Sequence, residues 1–170
     1  MNAIVRYIRI RDVKNPQRGT LDSSGIDFFI PNDLERVKET PNDVDRIERF
    51  CEVVCGSISI QPGRGILIPT GIKTIIKSGY DMVFDNKSGI AVKKGLIIGA
   101  KVIDADYRGE IHIHLINSSD YVQFVKLGDK VAQAIIREVV LDDLEEIEEN
   151  EFDLEDDTER GEGGFGSTGN

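Results

Sequence analysis

The stretch "VIDADYRGE", residues 102–110, holds Asp104, Asp106, Tyr107 and Arg108 within a few positions of one another. Asp104 and Asp106 alternate as if at a strand end, on one face, and Arg108-Gly109 reads as a turn. A carboxylate held near bound phosphates can take a proton from water and turn it into a nucleophile. The same residues also suit a hairpin turn with Asx bonding. A second chemical stretch lies at the end of the chain, "RGEGGFGSTGN", residues 160–170. Glycines with hydroxyls and one cation cradle phosphate well, because bare backbone N–H groups can approach an anion closely. No helix follows to complete a phosphate loop of the common NTPase type.

Other candidates are ambiguous one at a time. Ser88 in "DNKSG" could donate to phosphate or cap a short helix. Gln133 in "LGDKVAQ" could orient a water or face a neighbouring strand. His112 and His114 share a strand face and could supply two metal ligands, but no third lies nearby in sequence, and packing is the preferred reading. Cys51 and Cys55 are half a zinc site at most and read as reduced thiols.

The elements that must position these residues are mainly strands. "AIVRYIRIR", "SISIQ" and "RGEIHIHLIN" alternate, with Ile111, Ile113 and Leu115 on one face of the last. "GILIPTGIKTII", "GYDMVF", "GLIIGAKVID" and "YVQFV" are strand-length apolar runs bounded by turn residues. Ten or so strands with tight turns predict an all-β, jelly-roll-like barrel. Helical patterns are confined to "SGIAVKK" and "NDVDRIERFCEV". The latter sits in a charge-rich stretch, residues 32–56, which reads as an insertion protruding from the barrel, open to a protein partner and dispensable for chemistry.

With 170 residues and 39% apolar content, the chain is long enough for one cored domain. Its net charge of −10 is unevenly spread. Residues 141–170 hold thirteen acidic groups and one basic, Arg160, whereas residues 1–140 hold eighteen acidic against twenty basic. The organisation expected is therefore a β domain over 1–140, an acidic, self-repelling connector over 141–159, and a glycine-rich arm over 160–170. Leu141, Leu144, Phe152 and Leu154 are the connector's apolar anchors. No membrane-spanning or signal segment is visible, and the expected setting is cytoplasmic, with no nucleic-acid or membrane partner.

In this order the stretches resemble the five motifs of the trimeric dUTP pyrophosphatases (dUTPases): "SSGIDFF", "DNKSG", "GAKVIDADYRGE", "GDKVAQAI" and "RGEGGFGSTG". An insertion would suit a viral or phage-type member, in which case the setting is the host cytoplasm. The resemblance implies hydrolysis of dUTP to dUMP and pyrophosphate with Mg²⁺, in sites shared across a homotrimer. It limits uracil in DNA and supplies dUMP. Asp104 matches the general base and Tyr107 the residue beneath the deoxyribose that leaves no room for a 2′-hydroxyl. Lys87, Ser88, Gly89 and Gln133 match phosphate and water contacts, and Gly99 falls in the hairpin that reads the uracil edge. Asp27 matches an acidic residue linked through water to a metal otherwise held by substrate phosphates. Arg160 would reach the terminal phosphates and Phe165 would stack on uracil, while Gly163, Gly164, Gly166, Ser167 and Thr168 wrap the triphosphate. The arm would close as a lid.

The departures are Asn86-Lys87 where the family usually has Pro-Arg, Lys101 where glycine is common, and Lys130 in place of arginine. Lysine keeps the charge but loses the bidentate fork. Two other readings are a dCTP deaminase-related enzyme on the same fold, told apart by ammonia release, and a dUTP-gated interaction protein using residues 32–56, told apart by a dUTP-dependent pull-down.

Overall fold

The computed structural model describes residues 3–40, 49–149 and 151–152. The chain divides into two units, Met1–Val140 and Leu141–Asn170. In the second unit Leu141, Leu144 and Phe152 are exposed; Leu154 and the whole arm from Arg160 lie outside the described residues.

The first unit runs β1 (Val5–Arg9), β2 (Gln17–Arg18), β3 (Ile26–Phe29), β4 (Arg36–Thr40), β5 (Arg49–Glu52), β6 (Ser57–Ile60) and β7 (Gly65–Pro69). It continues with β8 (Ile72–Ile76), β9 (Tyr80–Asn86), α1 (Ser88–Lys94), β10 (Leu96–Ile98) and β11 (Val102–Ile103). Then come β12 (His112–Asn117), β13 (Gln123–Lys126) and β14 (Lys130–Glu138). Two five-stranded sheets, β10-β12-β7-β4-β5 and β11-β9-β14-β3-β2, share the core, and two ribbons, β1-β8 and β13-β6, complete the set. The fold is all-β with one short helix, as the spacing of apolar runs and turn residues predicts.

Strand alternation sets the core. On β12, Ile113, Leu115 and Asn117 are fully buried while His112, His114 and Ile116 take the other face. Ile66 and Ile68 of β7 do the same beside them, and Phe28 of β3 meets Phe84 of β9 edge-on, ring centroids 4.9 Å apart. Burying each such ring contributes about 1.5–3 kcal/mol. Helix α1 starts from Lys87 in extended conformation with no side-chain cap, so Ser88 is its first residue and not its cap. It stops at Gly95, whose φ of 62° is left-handed and whose N–H bonds the Ala91 carbonyl.

The described parts of residues 32–56, residues 32–40 and 49–56, hold no helix, and most of the helical pattern "NDVDRIERFCEV" lies outside the described residues. Arg49–Glu52 form a strand, β5, and β4 is hydrogen-bonded between β7 and β5. Leu34 and Val37 are buried, which makes this stretch part of the core. The charges mislead because β4 buries only one side chain, Val37, and presents Arg36 and Lys38 outward. Residues 41–48 lie outside the described chain.

Candidate active site

One cluster forms where β3, β9 and β14 run side by side. Gln133 pairs with Asp27 on one side and Asp85 on the other, so the three side chains share a face. Lys130 joins them through an irregularity. In a regular strand, residues three apart point oppositely, but the register shifts between Lys130 and Ala132. The extra residue, Val131, turns Lys130 onto the face of Gln133. Lys130 Nζ then reaches Asp27 Oδ2 at 3.0 Å, and Lys87 Nζ takes Asp27 Oδ1.

Asp27 is buried. Burial pushes its carboxyl up, but hydrogen bonds from Lys87 and Lys130, and the charges of both, outweigh this and hold it below the usual carboxylate range. Both oxygens accept from ammonium groups, which makes Asp27 the counter-ion of two lysines. Among the described residues no group of three or more His, Cys, Asp or Glu could hold a metal ion.

Beside this cluster, Lys87, Gly89, Ile90, Asp129 and Lys130 line an open cleft of about 320 Å³. Gln133 Nε2 donates to the Asn86 carbonyl at 2.8 Å. That contact requires Gly25, since a Cβ at position 25 would overlap the Gln133 amide. Lys87, Ser88, Gly89 and Gln133 are thus gathered at one end of β9, with two lysines facing the cleft.

Asp104 and Tyr107 lie elsewhere. Strand β11 ends at Ile103, and residues 105–106 form a turn closed by a bond from the Tyr107 N–H to the Asp104 carbonyl. Asp106 therefore does not share a strand face with Asp104. Tyr107 Oη donates to the Glu110 carbonyl at 2.9 Å, and Gly109 leaves room for its ring. Glu110 pins the turn to the body by accepting from Arg11 Nε at 2.7 Å and the Gly71 N–H at 2.8 Å. Asp104 is exposed and Tyr107 is 42% exposed.

The two groups sit at different levels of β9. Ile103 pairs with Met82, four residues from Asn86, a separation of about 13 Å at the rise of a strand. The antiparallel course of β11 carries Asp104 further from Asn86. Among the described residues no hydrogen bond or ion pair joins the Asp104–Tyr107 turn to the Asp27–Lys87 cluster. Gly99 falls between them, its N–H bonded to the His114 carbonyl.

The family profile of the dUTPases matches residues 53–169. The chain belongs to the dUTPase family. A deoxyuridine 5'-triphosphate nucleotidohydrolase of Arabidopsis thaliana is 39% identical over 149 residues, 87% of each chain. The dUTPase of Staphylococcus bacteriophage 80alpha with dUpNHpp superposes with a TM-score of 0.74 at 21% identity, covering 98% of both chains. A dUTPase from phage phi11 of S. aureus, described with a structural Mg(II) ion, covers 87% of this chain and 99% of its own, with a TM-score of 0.64 and 20% identity. At such identities the likeness speaks for the fold.

Three residues around this cluster have partners that the sequence does not reveal. Lys130 stands out only as a departure from arginine, and its turn toward Asp27 depends on the bulge at Val131. Asn86 is hidden because its two bonds run to residues far along the chain, Ile98 and Gln133. His114, read with His112 as a packing residue, holds Thr40 and Ala100. His112 is exposed, with Nδ1 against the Glu110 carbonyl.

Proposed function

We propose that this chain hydrolyses dUTP to dUMP and pyrophosphate in sites shared between the subunits of a homotrimer. The observation that carries the reading is the separation along β9. The Asp104 turn and the Lys87–Ser88 cluster belong to one chemistry but are held too far apart in one chain for a carboxylate to serve a phosphate at the cleft. Asp104 of one subunit, facing the cleft of another, removes the distance.

In that arrangement Asp104 takes a proton from the water that attacks the α-phosphorus, and Tyr107 lies beneath the deoxyribose and excludes a 2′-hydroxyl. Ser88, Gly89 and Lys87 bind phosphate oxygens, and Gln133, oriented by Asn86, contacts phosphate or water. Gly99 belongs to the hairpin that meets uracil. Arg160, Gly163, Gly164, Phe165, Gly166, Ser167 and Thr168 close over the nucleotide. Bound together with the substrate phosphates, Mg²⁺ would supply neutralisation of part of their charge. With Cys51 and Cys55 as free thiols, the chain suits a reducing, cytoplasmic setting.

Two measurements test this. Pyrophosphate release is measured with dUTP, UTP, dTTP and dCTP, and turnover confined to dUTP is the expected result. Then Asp104→Asn chains are refolded together with chains carrying Lys87→Ala and Ser88→Ala. Each alone is nearly inactive. Mixed trimers regain activity, because some sites combine an intact Asp104 from one chain with an intact cleft from the other. A dead mixture of well-formed trimers would refute shared sites.

A further inference from the structure

Residues 98–101, the link between β10 and β11, are held by side chains that the reaction does not use. The β10 ladder ends at Ile98, which pairs with Leu115. Three successive backbone donors are then satisfied from two places. The Ile98 N–H donates to Asn86 Oδ1 at 2.7 Å, the Gly99 N–H to the His114 carbonyl at 2.9 Å, and the Ala100 N–H to His114 Nδ1 at 3.2 Å. An amide can only donate, so Nδ1 is unprotonated and the ring proton sits on Nε2. Nε2 in turn donates to Thr40 Oγ1 at 3.1 Å, at the end of β4.

The ring is also wedged. A Cβ at Gly99 would overlap the His114 ring, and one at Gly65 would strike both Thr40 Oγ1 and His114 Nε2. Burial favours the neutral imidazole that this bonding needs. Asn86 works from the opposite side. Its side chain holds Ile98 while its carbonyl accepts from Gln133, so one residue ties the 98–101 link to the cleft.

We propose that Asn86 and His114 are positioning residues that fix the 98–101 hairpin and thereby set which base it admits. The inference rests on the reading, given above, that this hairpin meets uracil. Its chemistry is simple. With the Ile98, Gly99 and Ala100 N–H groups all held, the turn cannot widen to take a bulkier pyrimidine without breaking one of these hydrogen bonds.

The test uses the full-length enzyme with four substitutions. His114→Leu removes the Nδ1 acceptor and the Nε2 donor at similar bulk, and His114→Asn returns an acceptor near the position of Nδ1. Asn86→Ala removes the Ile98 acceptor, and Gly99→Ala drives a methyl into the hairpin. KM and kcat are measured for dUTP and dTTP, and backbone hydrogen exchange is followed over residues 98–101. In His114→Leu the dUTP KM rises about tenfold, the value of one good hydrogen bond, with kcat little changed. The preference for dUTP over dTTP narrows, and the Ala100 amide exchanges faster. His114→Asn recovers most of both, and Asn86→Ala repeats the pattern at Ile98. Equal behaviour of His114→Leu and His114→Asn, with exchange unchanged, overturns the proposal. So does faster exchange with KM and base preference unmoved, provided Gly99→Ala moves them. If Gly99→Ala leaves them unmoved too, the base-reading role of the hairpin is what fails. Should His114→Leu not fold, Asn86→Ala decides the matter alone.

Discussion

Asp104 occupies an exposed turn whose shape is supplied by its neighbours: Tyr107 bonds back to the Glu110 carbonyl, and Glu110 is tied to Arg11 and Gly71. Replacing its carboxylate with an amide disturbs none of those bonds. In Asp104→Asn, kcat for dUTP is expected to fall by about 10²–10⁴-fold with KM nearly unchanged, as befits loss of a general base. Steady-state kinetics beside unchanged thermal unfolding is the check, and near-normal kcat would remove Asp104 from the role. Asp27 acts on stability instead. For Glu110, as for Asp27, burial pushes the carboxyl up. Hydrogen bonds from Arg11 and the Gly71 N–H, with the charges of Arg11 and His112, outweigh this and lower it. A carboxylate lowered in the folded state is stabilising above the unfolded value of about 4, and that contribution is lost as pH falls through the lower folded value. Melting temperature should therefore be flat near neutrality and drop below about pH 4. Asp27→Asn should melt lower at pH 7, since it leaves two lysines without their counter-ion, and should show a shallower acid slope. An unchanged slope would mean that Asp27 is not a source of the pH dependence.

Strand β4 makes the case at the scale of elements. It lies between β7 and β5, buries Val37, and ends at Thr40, the acceptor for His114. Replacing residues 32–56 by a short turn removes the edge of a five-stranded sheet and is expected to leave insoluble or unfolded protein. Replacing residues 41–48 alone should preserve fold and dUTP hydrolysis, because closure of a loop changes by only about 0.6 kcal/mol per doubling of length. Circular dichroism and pyrophosphate release distinguish the two, and a folded, active 32–56 deletion would show that the sheet does not need β4. The same strand shows where sequence reading ends. Apolar alternation in β12 is a local signal and marks that strand, whereas "GILIPTGIKTII" reads as one run and folds as two strands, β7 and β8. "RVKET" carries a single buried apolar side chain, so its membership of the sheet comes from partners elsewhere in the chain. The short helix from Ser88 was legible because an apolar pair is closed by lysines and Gly95. Lys130 and Gln133 were legible as residue types, but regular alternation puts them on opposite faces, and only the bulge at Val131 brings them together. Asn86 and His114 were invisible as a pair because each meets residues 98–100 through a bond that no spacing encodes.

For the molecule as a whole, the proposed trimer follows from a chain that carries both halves of a site and cannot unite them. Its β domain is near neutral while its last thirty residues are strongly acidic. The placement of Asp104 and Lys87 at separate levels of β9 also bears on inheritance and co-infection. In the proposed trimer, wherever two versions of the gene are expressed together, their products would assemble together. A chain defective only at Asp104 spoils the one site to which it lends that residue, and its intact cleft still serves a healthy neighbour. A chain defective at both ends of β9 spoils two sites in the same assembly. Complementation between alleles and dominance of a doubly damaged allele would then both have their origin in the length of a single strand.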